Sequence, residues 1–250
     1  ANSYGVSVIE DCSQAHGAKI LDNGSWHSVG SFGDVSAWSF CQDKIITTGG
    51  EGGMATTSRS DLWDLMWSLK DHGKSWVSVH SLSHPAGFRW LHERFGSNYR
   101  LTEMQSAIGR IQLQRINEWT AIRSRNAQIL IDVLSNCSVV RIPTPGNDLN
   151  HAWYKFHCYV EPTALADGWS RDRIAGEIEL KGYPAFHGSC SEIYLEKCFK
   201  NAGLAPLNRL RVARLLGETS LMFLVHPTIS IVQMNSYAEA INAVLIRASK

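Results

Sequence analysis

The sequence predicts an α/β fold, with a larger N-terminal part built on a parallel sheet and a smaller α+β part behind it. Three observations carry this expectation. A β-branched run ends in two acids, Glu10 and Asp11, as the buried strands of parallel sheets often do. Helical spacing of apolar residues is sustained from Leu101 to Leu134. A Pro-Thr-Pro-Gly break at residues 143–146 separates two regions of different pattern.

The elements follow in order. Val6 to Asp11 reads as a buried parallel strand with its carboxyl end at Asp11. Asp34 to Phe40 gives a second strand and Gly53 to Thr57 a weaker third. A helix is expected from Asp61 to Asp71, with Leu62, Leu65, Met66 and Leu69 on one face and Ser60 as its N-cap. Residues 72–96 are rich in Ser, His, Gly and Trp, with one Pro, and read as a long excursion without an element of its own. Such loops are often functional. Leu101, Met104, Ile108 and Ile111, continued by Leu113, Ile116, Trp119 and Ile122, predict one very long helix or two in series. Beyond the break, Trp153 to Val160 alternates like a strand, and Arg171–Leu180 and Ser236–Ile246 are helical. The domain boundary is expected near residue 136, giving domains 1–136 and 137–250.

With 44% hydrophobic and 19% charged residues over 250 positions, the composition is that of a globular protein and excludes wholesale disorder. Lys+Arg 24 against Asp+Glu 23 leaves no global field that would recommend nucleic acid or an anionic membrane. No apolar run approaches a membrane span, and no charged start precedes an apolar stretch as in a signal peptide. The cysteines Cys12, Cys41, Cys137, Cys158, Cys190 and Cys198 are scattered without a C-x-x-C pair. They read as free thiols of a reducing compartment, which predicts a cytoplasmic protein. The chain opens on Ala1, close to a strand, so a chain cut at its N-terminus is expected.

Three clusters carry polar chemistry. The first, Glu10 to Ala18, holds Asp11, Gln14 and His16 after a strand, where α/β proteins place ligand groups. By itself Asp11 is equally a turn or helix cap. The second holds Ser39 and Lys44 before a glycine-rich turn. It is neither a Walker loop nor a dinucleotide fingerprint, and a solvated lysine before a tight turn is its plain alternative. The third, Gly96 to Thr102, places Asn98 and Arg100 ahead of the long helix, either as anion ligands or as an ordinary capping segment.

In sequence, the stretches VIEDCSQAHGA, SFCQDKIITTGGEGGM, LKDHGKSW, GSNYRLTEMQSAIGRIQL and LVHPTIS form an ordered set. With them the chain resembles the DegT/DnrJ/EryC1/StrS sugar-nucleotide aminotransferases, over essentially its whole length. The resemblance implies the aspartate-aminotransferase-like fold (fold type I) and pyridoxal 5'-phosphate as cofactor. It further implies transfer of an amino group, usually from glutamate, to a nucleotide-linked keto-sugar destined for lipopolysaccharide, O-antigen or antibiotic glycosides. Lys44 stands where the family's cofactor-binding lysine stands, and Asp11 matches the acid that pairs with the pyridinium nitrogen. Gln14 matches the residue packed on the cofactor ring, with His16 beside it, and Ser39 matches the serine at the cofactor phosphate. Asn98 matches the asparagine that reaches the neighbouring subunit's site, which implies a homodimer. Arg100 stands either on nucleotide or phosphate charge or in an ion pair.

Family members carry a substantial segment before the strand that ends at Asp11. The chain therefore resembles the C-terminal part of such an enzyme, with an incomplete large domain, and is expected to hold the cofactor poorly. Sugar dehydratases of this fold have histidine where Lys44 stands, so lysine favours amino transfer. A related cofactor enzyme of another reaction type and an inactive fragment or paralogue acting through dimer contacts are the alternatives. The histidines lack metal-ligand spacing, so no metal is expected. Trp63, Trp67 and Trp119 read as core or interface packing, and Gly188-Ser189-Cys190-Ser191 as a loop of the small domain.

Overall fold

The computed structural model describes residues 1–81, 83–84, 86–87 and 90–250. Its first elements are the strands β1 (Ile9–Asp11), β2 (Lys19–Asp22), β3 (Ser25–Ser28), β4 (Val35–Ser39) and β5 (Gly53–Thr56). The helices α1 (Ser60–Lys70), α2 (Trp76–His80), α3 (Glu103–Gln114) and α4 (Ile116–Leu134) follow. Then come β6 (Val140–Arg141), β7 (Leu149–Asn150), β8 (Phe156–Val160), α5 (Arg171–Leu180) and β9 (Phe186–His187). The chain closes with α6 (Lys197–Asn201), α7 (Arg211–Thr219), β10 (Ser220–Phe223) and α8 (Ile231–Ala248). Two compact units result: Ala1–Trp119 with Asn147–Ala152, and Thr120–Gly146 with Trp153–Lys250. The division falls within α4 rather than near 136, because residues 127, 130 and 134 of that helix already belong to the C-terminal core.

In the first unit β4 is the central strand, parallel to β1 and antiparallel to β5, with Asp11 opposite Ala37. The chain between β1 and β4 forms a hairpin, β2–β3, whose outer edge takes β7. Its turn is Asn23-Gly24, with both φ values positive (48° and 78°), the twist that matches the flanking strands. Glu10 organises the approach to β4. Its carboxylate accepts the backbone N–H of Gly30 (2.8 Å), Phe32 (2.8 Å) and Gly33 (2.6 Å). Only Ile9–Asp11 of the expected first strand is regular, and Ile9 is 73% exposed rather than buried, since β1 has a strand neighbour on one side only.

Ser60 is the first residue of α1 rather than its cap. Arg59 holds the N-cap position and makes no side-chain cap bond there. The excursion at 72–96 contains a helix, α2, capped by Ser75, while its Leu82, Pro85, Phe88 and Arg89 lie outside the described residues. Trp63 and Trp67 pack edge-on against Trp76, with ring centroids 5.4 and 5.1 Å apart, in a half-exposed aromatic group rather than a buried core. The long helical pattern resolves into two helices that break at Arg115. The first opens with a capping box in which the Thr102 side chain accepts from Gln105 N and the Gln105 side chain accepts from Thr102 N.

The second unit carries an antiparallel sheet of order β6-β8-β10-β9. β8 alternates as the sequence predicts, with Phe156, Cys158 and Val160 buried. These side chains meet Leu221 and Phe223 of β10, Ile174 and Ile178 of α5, and Ile241 and Leu245 of α8 in a dry core. Asn126 is fully buried and donates to the carbonyls of Val225, His226 and Ile229, fixing the LVHPTIS stretch to α4. All six cysteines are free thiols. Among the described residues no helix is long and apolar enough to cross a membrane, and no group of side chains is disposed to hold a metal ion.

Candidate active site

Because β1 and β4 run parallel as neighbours, their carboxyl ends coincide, and the segments that follow them share one edge of the sheet. Asp11 ends β1, and the turn behind it carries Gln14 and His16. Ser39 ends β4, and the next turn, closed by Lys44 N–H on the Cys41 carbonyl (3.0 Å), carries Lys44.

Asp11 is exposed, and one carboxylate oxygen accepts the Ser13 N–H at 3.0 Å. It thus serves as a turn cap. The Ser13 hydroxyl and N–H hold its carboxyl below the usual range against burial, with the charge of Lys44 adding the smallest part. His16 is 3% exposed and packs against Trp38 (ring centroids 5.3 Å) and Phe40 (5.9 Å). Neither ring nitrogen makes a hydrogen bond of normal geometry, although the Ser39 backbone lies close enough to favour the protonated form. Burial, and after it the charge of Lys44, pushes this histidine down to about 4, so it is neutral near pH 7. The amine at 44 therefore acts electrostatically on Asp11 and on His16, one on each side of the same turn.

The turn bearing Lys44 is anchored from α3. Gln112 accepts the Thr47 N–H (2.8 Å), and Gln105 Nε2 donates to the Glu51 carbonyl (2.7 Å). Ile45 and Ile46 are buried beneath it. Ser39 Oγ accepts the Cys41 N–H at 3.4 Å and stays half-buried. Asp11, Gln14 and His16 thus lie on the connection after β1 and Ser39 and Lys44 on the one after β4, with the Lys44 charge acting on Asp11 and His16. Asn98 and Arg100 stand in a second group around Asp71. Asn98 bridges to Asp71 through the backbone, its side-chain oxygen accepts the Arg100 N–H (3.2 Å), and Arg100 Nη1 lies 2.7 Å from the Asp71 carboxylate.

Sequence reasoning missed the wall around His16 and the anchors from α3. Trp38 and Phe40 were legible as alternate residues of one strand face. Gln112 carried no local signal, since its partner lies far away in sequence.

Comparison with known proteins follows this geometry. The model of the DegT/DnrJ/EryC1/StrS aminotransferase family matches residues 1–240. The chain is 26% identical to dTDP-3-amino-3,4,6-trideoxy-alpha-D-glucose transaminase of Streptomyces venezuelae, over 82% of this chain and 48% of that protein. It is 34% identical to GDP-perosamine synthase of Escherichia coli O157:H7, over 62% of this chain and 38% of that protein. An aminotransferase structure from Psychrobacter cryohalolentis superposes with TM-score 0.93 at 50% identity, covering 99% of this chain and 64% of that one. The chain spans about half or less of these curated relatives and under two thirds of the solved structure. Its fold is the aspartate-aminotransferase-like fold type I expected from the sequence. With the family match running from Ala1 to residue 240 and the solved structure covering nearly the whole chain, the protein belongs to the DegT/DnrJ/EryC1/StrS aminotransferase family.

Proposed function

We propose that the protein acts as a pyridoxal 5'-phosphate-dependent aminotransferase, moving an amino group from an amino acid, glutamate foremost, to a nucleotide-linked keto-sugar. The observation that carries this is that parallel pairing of β1 and β4 puts Asp11, a buried His16 and Lys44 on connections at one edge of the sheet, with the Lys44 charge acting on both other groups. The residues fit the cofactor. The site offers an amine, a carboxylate held ionised, a serine hydroxyl, and a buried imidazole whose two nitrogens make no hydrogen bond of normal geometry among the described residues.

When bound, pyridoxal phosphate supplies the electron sink that amino transfer requires. Asp11, held ionised, would face the ring nitrogen and favour its protonated form. Lys44 would supply the amine that holds the cofactor aldehyde and, when free, the base for proton movement. Gln14 and His16 would pack beside the ring, and Ser39 would offer its hydroxyl to the phosphate. Asn98 reaches the site of a second copy in a homodimer, and Arg100 lies toward the substrate's charge. The unit Ala1–Trp119 with Asn147–Ala152 would be the cofactor-binding part, and Thr120–Gly146 with Trp153–Lys250 the small domain. A cytoplasmic location and products destined for lipopolysaccharide or O-antigen complete the proposal, supported by relatives named for amino-sugar formation.

Borohydride reduction at saturating pyridoxal phosphate traps even a weakly held cofactor. The expected result is a single adduct, mapped by peptide mass spectrometry to Lys44 and absent from Lys44→Ala. Labelling spread over surface lysines, with Lys44 unmodified, would overturn the proposal.

A further inference from the structure

The second unit holds an open cavity of about 590 Å³, where the loop Gly188-Ser189-Cys190-Ser191 leaves β9 and lies against the end of α7 and the start of β10. Arg171, Ser189, Ser191, Lys197, Lys200 and Ser220 are among its lining residues. The backbone is drawn in closely there. A Cβ on Gly188 would fall 2.7 Å from Ser220 Oγ, and one on Gly217 would fall 1.9 Å from Ser191 Oγ. A larger residue at either place would press on those hydroxyls, so the two glycines keep that wall of the cavity open.

Several donors along this wall have no acceptor of their own. Ser220 is 7% exposed, yet among the described residues its hydroxyl makes no hydrogen bond. The same holds for the hydroxyls of Ser189 and Ser191. A buried hydroxyl without a partner is costly, and one beside a cavity asks for an acceptor from outside the chain. Lys197 and Lys200, on α6, are exposed and form no ion pair among the described residues. Arg171 is fixed in place with its side chain 14% exposed. Its Nη1 donates to the carbonyls of Gly217 (3.1 Å) and Ser220 (2.9 Å), and its Nε lies 2.6 Å from Asp172. Its Nη2 has no partner among the described residues.

The acids around the cavity are engaged, with one exception. Asp172 is shared by Arg171 and His187 (3.4 Å). Glu192 accepts from Arg209 Nε (2.9 Å) and the Tyr194 hydroxyl (2.6 Å), which hold its carboxyl down at about 2. Glu196 is exposed and forms no ion pair among the described residues. Against this one free carboxylate stand two free ammonium groups and the remaining donors of Arg171.

We propose that this cavity binds a phosphate group, either inorganic phosphate or the phosphate of a small monoester. Phosphate oxygens accept from hydroxyl, ammonium and guanidinium donors alike, and a dianion matches two lysines and the free edge of an arginine. A carboxylate has only two oxygens for the same donors. The volume exceeds what phosphate alone fills and leaves room for the rest of a small ester. The proposal rests on none of the groups assigned to amino transfer.

The test is calorimetric titration of the full chain with inorganic phosphate, glycerol 3-phosphate, acetate and glycerol. Wild-type protein is expected to bind both phosphates, to bind acetate at least about tenfold more weakly, and to ignore glycerol. Tighter binding of glycerol 3-phosphate than of phosphate identifies an ester as the ligand, and equal binding identifies the free ion. Lys197→Gln/Lys200→Gln should weaken both phosphates by about tenfold or more, as expected for losing charge-assisted hydrogen bonds. Both lysines are exposed, so the fold tolerates this double variant. Ser191→Ala/Ser220→Ala should weaken them by a smaller factor, and Lys181→Gln, exposed and outside the cavity, should match wild type. No binding of either phosphate, acetate bound as tightly as phosphate, or unchanged phosphate binding in the lysine variant overturns the proposal. Loss of phosphate binding in Ser39→Ala, with the lysine variant unchanged, would place the ion at the proposed cofactor site and overturn it equally.

Discussion

At the scale of single residues, His16 makes the sharpest physical demand. Its ring is packed against Trp38 and Phe40, and among the described residues neither nitrogen makes a hydrogen bond of normal geometry. The folded state therefore resists protonation down to about 4, whereas an unfolded histidine takes its proton near 6.5. Between those values the unfolded chain binds more protons, so stability is full above about 6.5 and falls as pH drops through the window. The loss is at most about 3.5 kcal/mol, at roughly 1.4 kcal/mol per unit. Urea unfolding at pH 7 and at pH 5 should show this loss in wild type and a much flatter response in His16→Phe. Parallel pH responses of the two proteins would show that His16 is not the titrating group. Saturating cofactor should protect wild type more than the variant if the imidazole gains a partner there.

At the scale of elements, the site depends on the register of β1 against β4 and on the turn that follows each. Glu10 sets the first by gathering three backbone N–H groups ahead of β4. Space is tight at that turn: a Cβ on Gly30 would meet the Trp38 ring at 2.4 Å, so the turn presses directly on the wall of His16. Glu10→Ala is expected to cost about 2 kcal/mol, with Glu10→Gln intermediate because an amide oxygen still accepts. The urea midpoint reads this, and an Ala variant as stable as wild type would mean that the turn holds itself. The second control is α3, whose Gln105 and Gln112 tie down the turn of Lys44. The capping box that starts α3 fixes where those two side chains fall.

At the scale of the whole molecule, the two units are built unequally. The contiguous dry core, with Phe156, Phe223, Leu130 and Ile241 fully buried, lies in the second unit. The first unit buries few large apolar side chains and leaves Ile9, Met54, Met104 and Ile111 more than half exposed. Apolar burial is the main favourable term in folding. Hydrogen exchange should therefore find the amides of β8, β10 and α8 the slowest, and those of β1 and β4 faster by one or more orders of magnitude. Equal protection in the two sheets would show that buried apolar area does not set the ranking here.

Much of this was legible in the order of residues, because it depends on local periodicity and on motif chemistry. The strand at Asp34–Phe40, the helix at Arg171–Leu180, the alternation of Phe156, Cys158 and Val160 and the α/β class follow from the chain read alone, and the fold type from its resemblance to the family. The β2–β3 hairpin was also written there, in Asn23-Gly24, and was overlooked. The exposure of Ile9 was not readable, nor was the choice of two helices over one or their break at Arg115, since a strand's burial depends on its neighbours and a helix's end on competing tertiary contacts. The sequence by itself determined which side chains are available for chemistry: an amine at 44, acids at 11 and 71, an imidazole at 16. Only the tertiary structure decided which of them meet. Parallel pairing brings the ends of β1 and β4 together, and the pairing of Asp71 with Asn98 sets Arg100 beside Asp71. The interactions that fix both arrangements join residues far apart in the chain, where no local pattern can record them.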